Sequence, residues 1–247
     1  MALSCRRIPF EPGRYWVGSR SRPDLLHLVD TDDDGVWACG CEDSFYHGNF
    51  CGHLRTVRRR MNEKKKYPRA VALAVAAELC RALAPACARL VVAGSLRRRK
   101  EQVGDVEVLF VPRFEDVPDG LFDRKLEDQA ERVIADLVAR GVLAARIGAA
   151  GGTSWGPKNK LAVHEASRVP VDLFTATDAN WWNYLVCRTG GAENNVALAQ
   201  AAQAKGWKWN PYGPGFTDDT GRIVPVASEQ DVFRLAGLPY LPPEQRK

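Results

Sequence analysis

The sequence predicts an α+β fold in which a mixed β-sheet has helices on one side, with a small metal-binding module before it and a small separate region after it. Apolar, largely β-branched runs of strand length occur at 91–93, 106–110, 161–164 and 169–174. Apolar residues also recur with helical spacing over 71–83 and 126–138. A cysteine and histidine cluster at 39–53 sets the N-terminal module apart.

The composition is typical of a soluble globular protein, and its positive net charge favours a polyanionic partner. Hydrophobic residues make up 45% of the 247 residues and charged residues 26%, with a formal net charge of +5. No apolar run is as long as a membrane span, and residues 1–14 contain no signal-peptide core. The sequence therefore predicts a cytoplasmic, nucleoid-associated protein with no membrane partner.

Two pairs of soft metal ligands follow a short β unit predicted at 13–37. The pairs have the spacings C-x-C and C-x-H, and nine residues separate them. Such a set suits a closed tetrahedral zinc site with a structural role. The predicted ligands are Cys39, Cys41, Cys51 and His53. His47 is a spare candidate, His27 is expected in a strand, and thiols packed in a core are the alternative.

A strongly basic segment follows these ligands. Residues 55–69 include eight basic residues and one acidic residue. Next to a metal-stabilised module, such a run favours salt-sensitive contacts with phosphates, and a solvated linker is the alternative. The residues expected to bind nucleic acid are Arg55, Arg58, Arg59, Arg60, Lys64, Lys65 and Lys66.

Two amphipathic helices are predicted to cover one side of the sheet. The first ends near Pro85, and its apolar stripe consists of Val71, Val75, Leu79 and Leu83. The second spans 121–140 and ends at Gly141. Its apolar stripe consists of Leu126, Ala130, Val133, Ile134, Leu137 and Val138.

Acidic side chains interrupt two of the predicted strands. Asp105 and Glu107 stand at the start of an apolar strand, and positions two apart point to the same face. Carboxylates there are costly unless a cation lies between them, and Mg²⁺ binds such oxygens together with substrate phosphates. Asp172 interrupts the later run in the same way. Solvated strand ends are the alternative.

The residues before this acidic strand suit a phosphate. Gly94 allows backbone to approach a ligand, Ser95 offers a hydroxyl, and Arg98 offers a fork of donors. Together with the carboxylates, this segment predicts a metal-bound nucleoside triphosphate.

These motifs, Gly94-Ser95-x-Arg97-Arg98 and Gly104-Asp105-x-Glu107, resemble the nucleotidyltransferase signature of family X DNA polymerases, the group of DNA polymerase beta. Further similarities follow in the family's order at 168–174, 188–195, 209–213 and 229–233. The N-terminal cysteine and histidine pattern resembles a SWIM zinc finger. The resemblance implies a zinc finger with a basic tail at 1–66, a nucleotidyltransferase palm at 67–180 and a thumb-like region at 181–247.

The resemblance implies transfer of a nucleotide from a (d)NTP to the 3′-hydroxyl of a DNA primer or DNA end by a monomeric repair enzyme, with release of pyrophosphate. Asp105, Glu107 and Asp172 would bind two Mg²⁺ or Mn²⁺ ions, and Asp172 would help deprotonate the hydroxyl. The implied nucleotide-binding residues are Gly94, Ser95, Arg98, Gly104, Thr189, Gly190, Gly191 and Asn195. Aromatic residues that would either stack on bases or pack internally are Trp207, Trp209, Tyr212 and Phe216.

Several positions depart from the family pattern. Cys187-Arg188 replaces an aromatic pair, Ala199 replaces an arginine that probes the minor groove, and Glu107 replaces an aspartate. Before residue 70, the zinc-finger pattern stands where relatives have their lyase and fingers regions. Two other functions stay open: a template-independent transferase for RNA ends, DNA ends or a small molecule, and a catalytically silent nucleic-acid-binding module.

Overall fold

The computed structural model describes residues 4–9, 14–19, 21–22, 24–31, 37–47, 51–61, 65–119, 123–147 and 152–247. Chain contacts divide the protein into two compact units, Met1–Lys65 and Lys66–Lys247. In the ranges just given, every helix is too short or too polar to cross a membrane.

In its described residues, the first unit is an antiparallel four-stranded sheet with two helices. Its elements are β1 (Cys5–Arg7), β2 (Tyr15–Gly18), β3 (Leu26–Thr31), β4 (Trp37–Cys39), α1 (Glu42–His47) and α2 (Gly52–Met61). The strands lie in chain order, as hairpin connections favour. Val17 and Val29 of the sheet pack against Leu54 and Val57, which share one face of α2 and are fully buried.

The second unit is built on a five-stranded mixed sheet. The strands of the whole unit are β5 (Tyr67–Pro68), β6 (Cys87–Val92), β7 (Gln102–Val103), β8 (Val106–Pro112), β9 (Phe114–Pro118), β10 (Arg124–Asp128), β11 (Leu143–Ala145), β12 (Asn159–His164), β13 (Pro170–Thr175), β14 (Lys208–Trp209), β15 (Gly215–Thr217) and β16 (Ile223–Pro225). The main sheet has the order β11-β12-β13-β8-β6, with β8 and β13 parallel and the other pairs antiparallel.

The helices of this unit are α3 (Arg69–Leu83), α4 (Gly94–Arg97), α5 (Gln129–Ala139), α6 (Trp181–Thr189), α7 (Ala192–Ala204) and α8 (Glu229–Ala236), with 3-10 turns at Ala84–Ala86 and Pro243–Gln245. Alternating side chains of β8 and β13 separate two cores. Val108 and Leu173 face the core that contains α3 and α5, whereas Leu109 and Phe174 face α6. The predicted α+β fold is confirmed, and α6 additionally covers part of the second face.

The first predicted helix is present with a different buried stripe. Val71 is 40% exposed, so its assignment to the core was wrong. The buried residues of α3 are Ala72, Val75, Ala76, Leu79 and Leu83. Small alanine side chains allow the helix to approach the sheet closely. The predicted stripe was based on large apolar residues and therefore did not include these alanines.

The second predicted helix is shorter than expected. Residues 124–128 form β10, which pairs with β9, and α5 begins only at Gln129. Asp128 caps this helix by accepting a hydrogen bond from the N–H of Glu131 at 2.9 Å. Leu126 is 71% exposed on the hairpin, so its assignment to the buried stripe was also wrong.

The C-terminal part has its own core, built from α6, α7, α8 and the sheet β14-β15-β16. The buried residues at its centre are Val186, Leu198, Phe216, Val232 and Phe233. Trp209 is buried beside them, and its Nε1 donates to Asn183 Oδ1 at 2.6 Å. Internal packing therefore accounts for Trp209 and Phe216, whereas Tyr212 is 54% exposed.

Candidate active site and metal centre

The three predicted catalytic carboxylates come together on one face of the sheet. Glu107 of β8 is directly paired with Asp172 of β13. Neighbouring strands lie about 4.8 Å apart and paired residues share a face, so these side chains are adjacent. Asp105 immediately precedes β8, and its charge acts on Glu107. The parallel pairing of β8 with β13 brings Asp172 next to Glu107 and Asp105, although these lie 65 and 67 positions earlier in the chain.

The electrostatics of this cluster favour a cation. Burial, and next the charge of Asp105, raise the pKa of Glu107 to about 8. Asp172 acts in the same direction, while Arg188 and Arg98 oppose the shift. Carboxylates gathered in a desolvated site gain more from a divalent ion than from protonation, and hard oxygen donors suit Mg²⁺ or Mn²⁺. The donor set therefore fits the expected ions.

A tight turn lies directly beside these carboxylates. Gly94 opens α4 with φ +62°, and a Cβ at this position would overlap the Glu107 carboxylate. The N–H of the preceding Ala93 donates to the carbonyl of Glu107 at 2.8 Å. Ser95 Oγ is buried and has no hydrogen-bond partner among the described residues. A phosphate would suit this place, because its oxygens would accept the hydrogen bond of the buried hydroxyl and bind the neighbouring cation.

Arg97 and Arg98 bind the residue that ends α6. Arg98 Nη1 donates to the Thr189 carbonyl at 2.5 Å, and Arg97 Nη1 donates to Thr189 Oγ1 at 2.7 Å. Burial lowers the pKa of Arg98, and the charges of Glu107 and Asp105 act in the opposite direction. Arg98 Nε is buried without a partner in the described part of the chain, so one donor of the guanidinium stays available.

Arg97 also takes part in a buried ion network that sequence analysis missed. Its Nη1 lies 2.5 Å from Glu229 Oε1, and Arg246 Nη2 lies 3.0 Å from Glu229 Oε2. Arg246 is fully buried. Burial acts to raise the pKa of Glu229, but the hydrogen bond from Arg97 and the charge of Arg246 lower it overall.

The remaining predicted nucleotide-binding residues lie in two places, beside Asp105 and in the turn between α6 and α7. Gly104 is buried and directly precedes Asp105. Thr189 is fully buried, and Gly190 and Gly191 connect it to α7. A Cβ at Gly190 would collide with the Asn194 amide.

Asn195, in the first turn of α7, is already engaged. Its Nδ2 donates to the carbonyl of Cys187 at 2.9 Å. This contact ties α7 to the last turn of α6 and fixes the Asn195 amide beside the glycine turn. Thr189, Gly190, Gly191 and Asn195 therefore lie together, as their sequence proximity indicates.

Arg188 adds a cation to the face that carries the carboxylates. Its guanidinium carbon lies 3.7 Å from the centroid of the Phe174 ring and 5.5 Å from that of Tyr212. Phe174 shares a face with Asp172 because it lies two residues further along β13. From the sequence, Arg188 was noted only because it replaces an aromatic residue of the family pattern. Its aromatic neighbours come from distant segments, so no local pattern could show them.

Asp172 has a cationic partner that sequence analysis also missed. Arg146 Nη2 lies 2.8 Å from Asp172 Oδ1, and the two side chains are 31% and 15% exposed. Arg146 follows β11 at the edge of the sheet, and the pairing of that short strand was not evident from the sequence.

The four predicted zinc ligands form a compact cluster in the first unit. Cys39 ends β4, Cys51 and His53 stand at the start of α2, and Cys41 lies between. One donor atom from each lies within 4.8 Å of all the others, and Cys39 Sγ is 3.8 Å from His53 Nδ1. Zinc bonds of about 2.0–2.3 Å in a tetrahedron give ligand separations of about 3.5–3.8 Å, so the cluster fits zinc.

Burial and a neighbouring histidine shift the pKa values of two members of this cluster. Burial raises the pKa of Cys39, and burial followed by the charge of His27 lowers the pKa of His53. His27 lies in β3, as expected, with its ring centroid 4.3 Å from that of His53. The side chain of His47 lies outside the described residues.

The basic segment is described only in part. Arg55, Lys65 and Lys66 are exposed. Arg58, Arg59 and Arg60 belong to α2, but their side chains and the whole of Lys64 lie outside the described residues.

Comparisons with known proteins agree with this architecture. Residues 184–247 match the family model of the DNA polymerase beta thumb. DNA polymerase/3′-5′ exonuclease PolX of Bacillus subtilis is 28% identical over 156 residues, which are 63% of this chain and 24% of that protein. DNA polymerase lambda of Rattus norvegicus is 25% identical over an alignment 170 residues long, which covers 63% of this chain and 28% of that protein. The chain thus spans about a quarter of the length of these relatives.

Solved structures with a similar fold include Leishmania infantum polymerase beta. The ternary P/T complex aligns with a TM-score of 0.58 and 19% identity, covering 83% of this chain and 86% of that one. The ternary gap complex has the same TM-score and identity and covers 83% and 79% of the two chains. The protein therefore has a polymerase-beta-like fold with a thumb domain, and the comparisons support its resemblance to family X DNA polymerases.

Proposed function

We propose that this protein is a family X DNA polymerase that transfers a nucleotide from a (d)NTP to the 3′-hydroxyl of a DNA primer or DNA end and releases pyrophosphate, with a role in DNA repair. The observation that carries the proposal is the pairing of Glu107 with Asp172, beside Asp105 and the Gly94-Ser95 turn. Acidic oxygens that can hold a metal ion, beside a turn with a buried hydroxyl that is unpartnered within the described ranges, are what nucleotidyl transfer requires. The likeness to two DNA polymerases supports the same class.

The residues divide the work of the reaction. Asp105 and Glu107 would hold two Mg²⁺ or Mn²⁺ ions, with Asp172 as the third ligand. Such ions, when bound, stabilise charge on the attacking and leaving oxygens of an in-line displacement. A carboxylate oxygen of Asp172 would help take the proton of the 3′-hydroxyl. Ser95 Oγ and the free donor of Arg98 would bind the leaving phosphates.

The thumb would complete the nucleotide site. The turn of Thr189, Gly190 and Gly191, together with Asn195, would contact the sugar and base, and Gly104 would let backbone approach the phosphates. Tyr212, which is 54% exposed, would contact nucleic acid through its ring. We propose residues 67–180 as the palm and 181–247 as a thumb-like region of a monomeric enzyme.

The first unit would be a SWIM-type finger at 1–66 that grips DNA. Cys39, Cys41, Cys51 and His53 would hold a structural zinc ion, and their mutual distances support this. The basic residues from Arg55 to Lys66 would contact phosphates without reading sequence. A protein of this kind would act in the cytoplasm, at the nucleoid.

One observation favours a template-independent transferase as the second candidate. The sequence of α7, from Ala192 to Ala204, contains no lysine or arginine, and its exposed residues include Val196, Ala197 and Gln200. The resemblance places a template-probing arginine at Ala199. A helix without basic residues there would contact template phosphates weakly.

A primer-extension panel tests the proposal. Purified protein with Mg²⁺ or Mn²⁺ is given each dNTP and NTP with single-stranded DNA, primer/template DNA and RNA acceptors. We expect incorporation on primer/template DNA, and Asp105→Ala should reduce it by about 10³-fold or more, because an ion ligand is lost. Asp116→Ala removes an exposed acid of β9 that pairs with Arg124, and it should leave incorporation unchanged.

The acceptor preference separates the candidates. Equal extension of single-stranded and paired DNA, without base selection, would establish the template-independent reaction instead. An absence of incorporation into every acceptor with either metal would leave a nucleic-acid-binding module as the function.

A further inference from the structure

Arg146 belongs to the same row of residues as the carboxylates. It follows β11 directly, and its N–H donates to the carbonyl of Leu161 in β12 at 2.8 Å. Leu161 is paired with Asp172, and Asp172 is paired with Glu107. Since paired residues of adjacent strands point to the same face, these four side chains share one side of the sheet.

The Arg146 side chain crosses Leu161 to reach Asp172. Two strand spacings separate their backbones, which is about 10 Å, and only a long side chain covers this distance. The resulting Nη2–Oδ1 distance is 2.8 Å. Only 31% of the Arg146 side chain and 15% of the Asp172 side chain are exposed, so water screens the pair less than it screens a surface ion pair.

We propose that Arg146 is a positioning residue for Asp172, which fixes the orientation of this carboxylate and weakens the affinity of the cluster for divalent cations. The positioning part rests on the proposed nucleotidyl transfer, whereas the electrostatic part needs only the metal. A guanidinium is a planar fork of donors, so its bond to one oxygen restricts rotation of the carboxylate. Its positive charge lies 2.8 Å from Asp172 Oδ1, an oxygen that would bind the ion, and like charge would oppose binding of that ion.

Two substitutions separate the two effects. Arg146→Ala removes charge and bond, so Mn²⁺ affinity should rise about three- to tenfold, because a repulsive charge is lost. In the same variant kcat should fall about 10- to 100-fold, with a smaller change in KM for the nucleotide, because Asp172 is misoriented. Arg146→Lys keeps the charge without the planar fork. It should bind Mn²⁺ as the wild type does and still share most of the loss in kcat.

Mn²⁺ binding is measured with Mn²⁺ alone, by electron paramagnetic resonance of the full chain with its zinc site filled. Asp105→Ala identifies the signal that belongs to the carboxylate cluster. Arg140→Ala is the matched charge control, since Arg140 directly follows α5, is exposed and pairs with Asp136 at 3.2 Å. It should keep wild-type Mn²⁺ affinity and kcat.

The outcomes are distinct. Unchanged Mn²⁺ affinity or unchanged kcat in Arg146→Ala would overturn the proposal. Weaker Mn²⁺ binding by both variants, with a lower melting temperature, would also overturn it and make Arg146 a support for the fold. If the wild type incorporates no nucleotide at all, the proposed function fails and the positioning role fails with it. Tighter Mn²⁺ binding by Arg146→Ala would then still establish the electrostatic part.

Discussion

At the scale of single residues, the backbone of Gly94 lies directly against the carboxylate cluster. Its φ of +62° lies in the left-handed region, and a Cβ there would overlap the Glu107 carboxylate. We expect Gly94→Ala to lower the free energy of unfolding by about 1–2 kcal/mol for the backbone conformation alone. Displacement of Glu107 should also reduce nucleotide incorporation by about 100-fold. Chemical denaturation and primer extension measure the two effects.

Gly141 provides the matched control for this change. Its φ is +69°, but a Cβ there would meet nothing within 4 Å. Gly141→Ala should therefore show the conformational cost without the loss of activity. Equal activity in Gly94→Ala and Gly141→Ala would mean that Glu107 does not need its observed position.

The sequence reveals those site residues whose signal is local. Asp105, Glu107 and the Gly94-Ser95 turn stand within fourteen residues of one another, and Asp172 repeats the anomaly of an acid in an apolar strand. Arg146 and Arg188 carry no such signal. Their contacts depend on which strands pair and where a helix from another segment lies, and single-sequence patterns do not contain that information.

At the scale of elements, two arginines and a buried glutamate connect α4, α8 and the C-terminal 3-10 turn. Arg97 and Arg246 both bind Glu229, whose side chain is 6% exposed. We expect Glu229→Gln to lower the free energy of unfolding by about 3–5 kcal/mol, because the buried Arg246 and the partly buried Arg97 lose their counter-charge. Urea denaturation of the variant and the wild type measures this. Asp231→Asn, at a more exposed acid on the same helix, should have a much smaller effect.

The same network predicts a pH dependence. The pKa of Glu229 is lowered in the folded protein, so its contribution to stability is fully present above the ordinary glutamate value of 4.5. It is lost as the pH falls below 4.5 and through the folded-state pKa. The difference in unfolding free energy between wild type and Glu229→Gln should therefore narrow as the pH falls below this value. A difference that is constant from pH 7 to about pH 3 would contradict the assignment.

Helices and strands were predictable where one pattern of apolar residues dominated the segment. β12 and β13 are present where short apolar runs predicted them, whereas β10 was assigned to a helix. Leu126 fits the helical stripe of α5 by spacing, but pairing with β9 decides its conformation and leaves it exposed. Hairpin pairing is a tertiary interaction that a helical periodicity cannot exclude.

At the scale of the whole molecule, the chain consists of two units with separate cores. We expect Cys51→Ser to abolish zinc binding and unfold the first unit, because Cys51 is 1% exposed and belongs to the four-ligand cluster. The melting transition of the second unit should stay unchanged. Zinc content and calorimetry measure this. Cys80→Ser, in α3, should instead retain zinc and affect only the second unit.

We expect the first unit and its basic segment also to determine how DNA binding responds to salt. Each phosphate contact that is lost reduces the slope of log K against log salt concentration by about 0.9. The triple variant Arg55→Ala, Lys65→Ala, Lys66→Ala should thus lower the slope by up to about 2.7. Fluorescence anisotropy with duplexes of different sequence should show the same loss for each, because phosphate contacts carry no sequence information.

A second triple variant removes the same net charge at other sites. Arg124, Arg140 and Arg234 are exposed and pair with acidic side chains in the second unit. Their replacement by alanine should leave the slope nearly unchanged if local phosphate contacts, rather than total charge, determine binding. Equal slopes for the two triple variants would show that DNA responds only to the overall charge of the protein, and the basic segment would lose its assigned role.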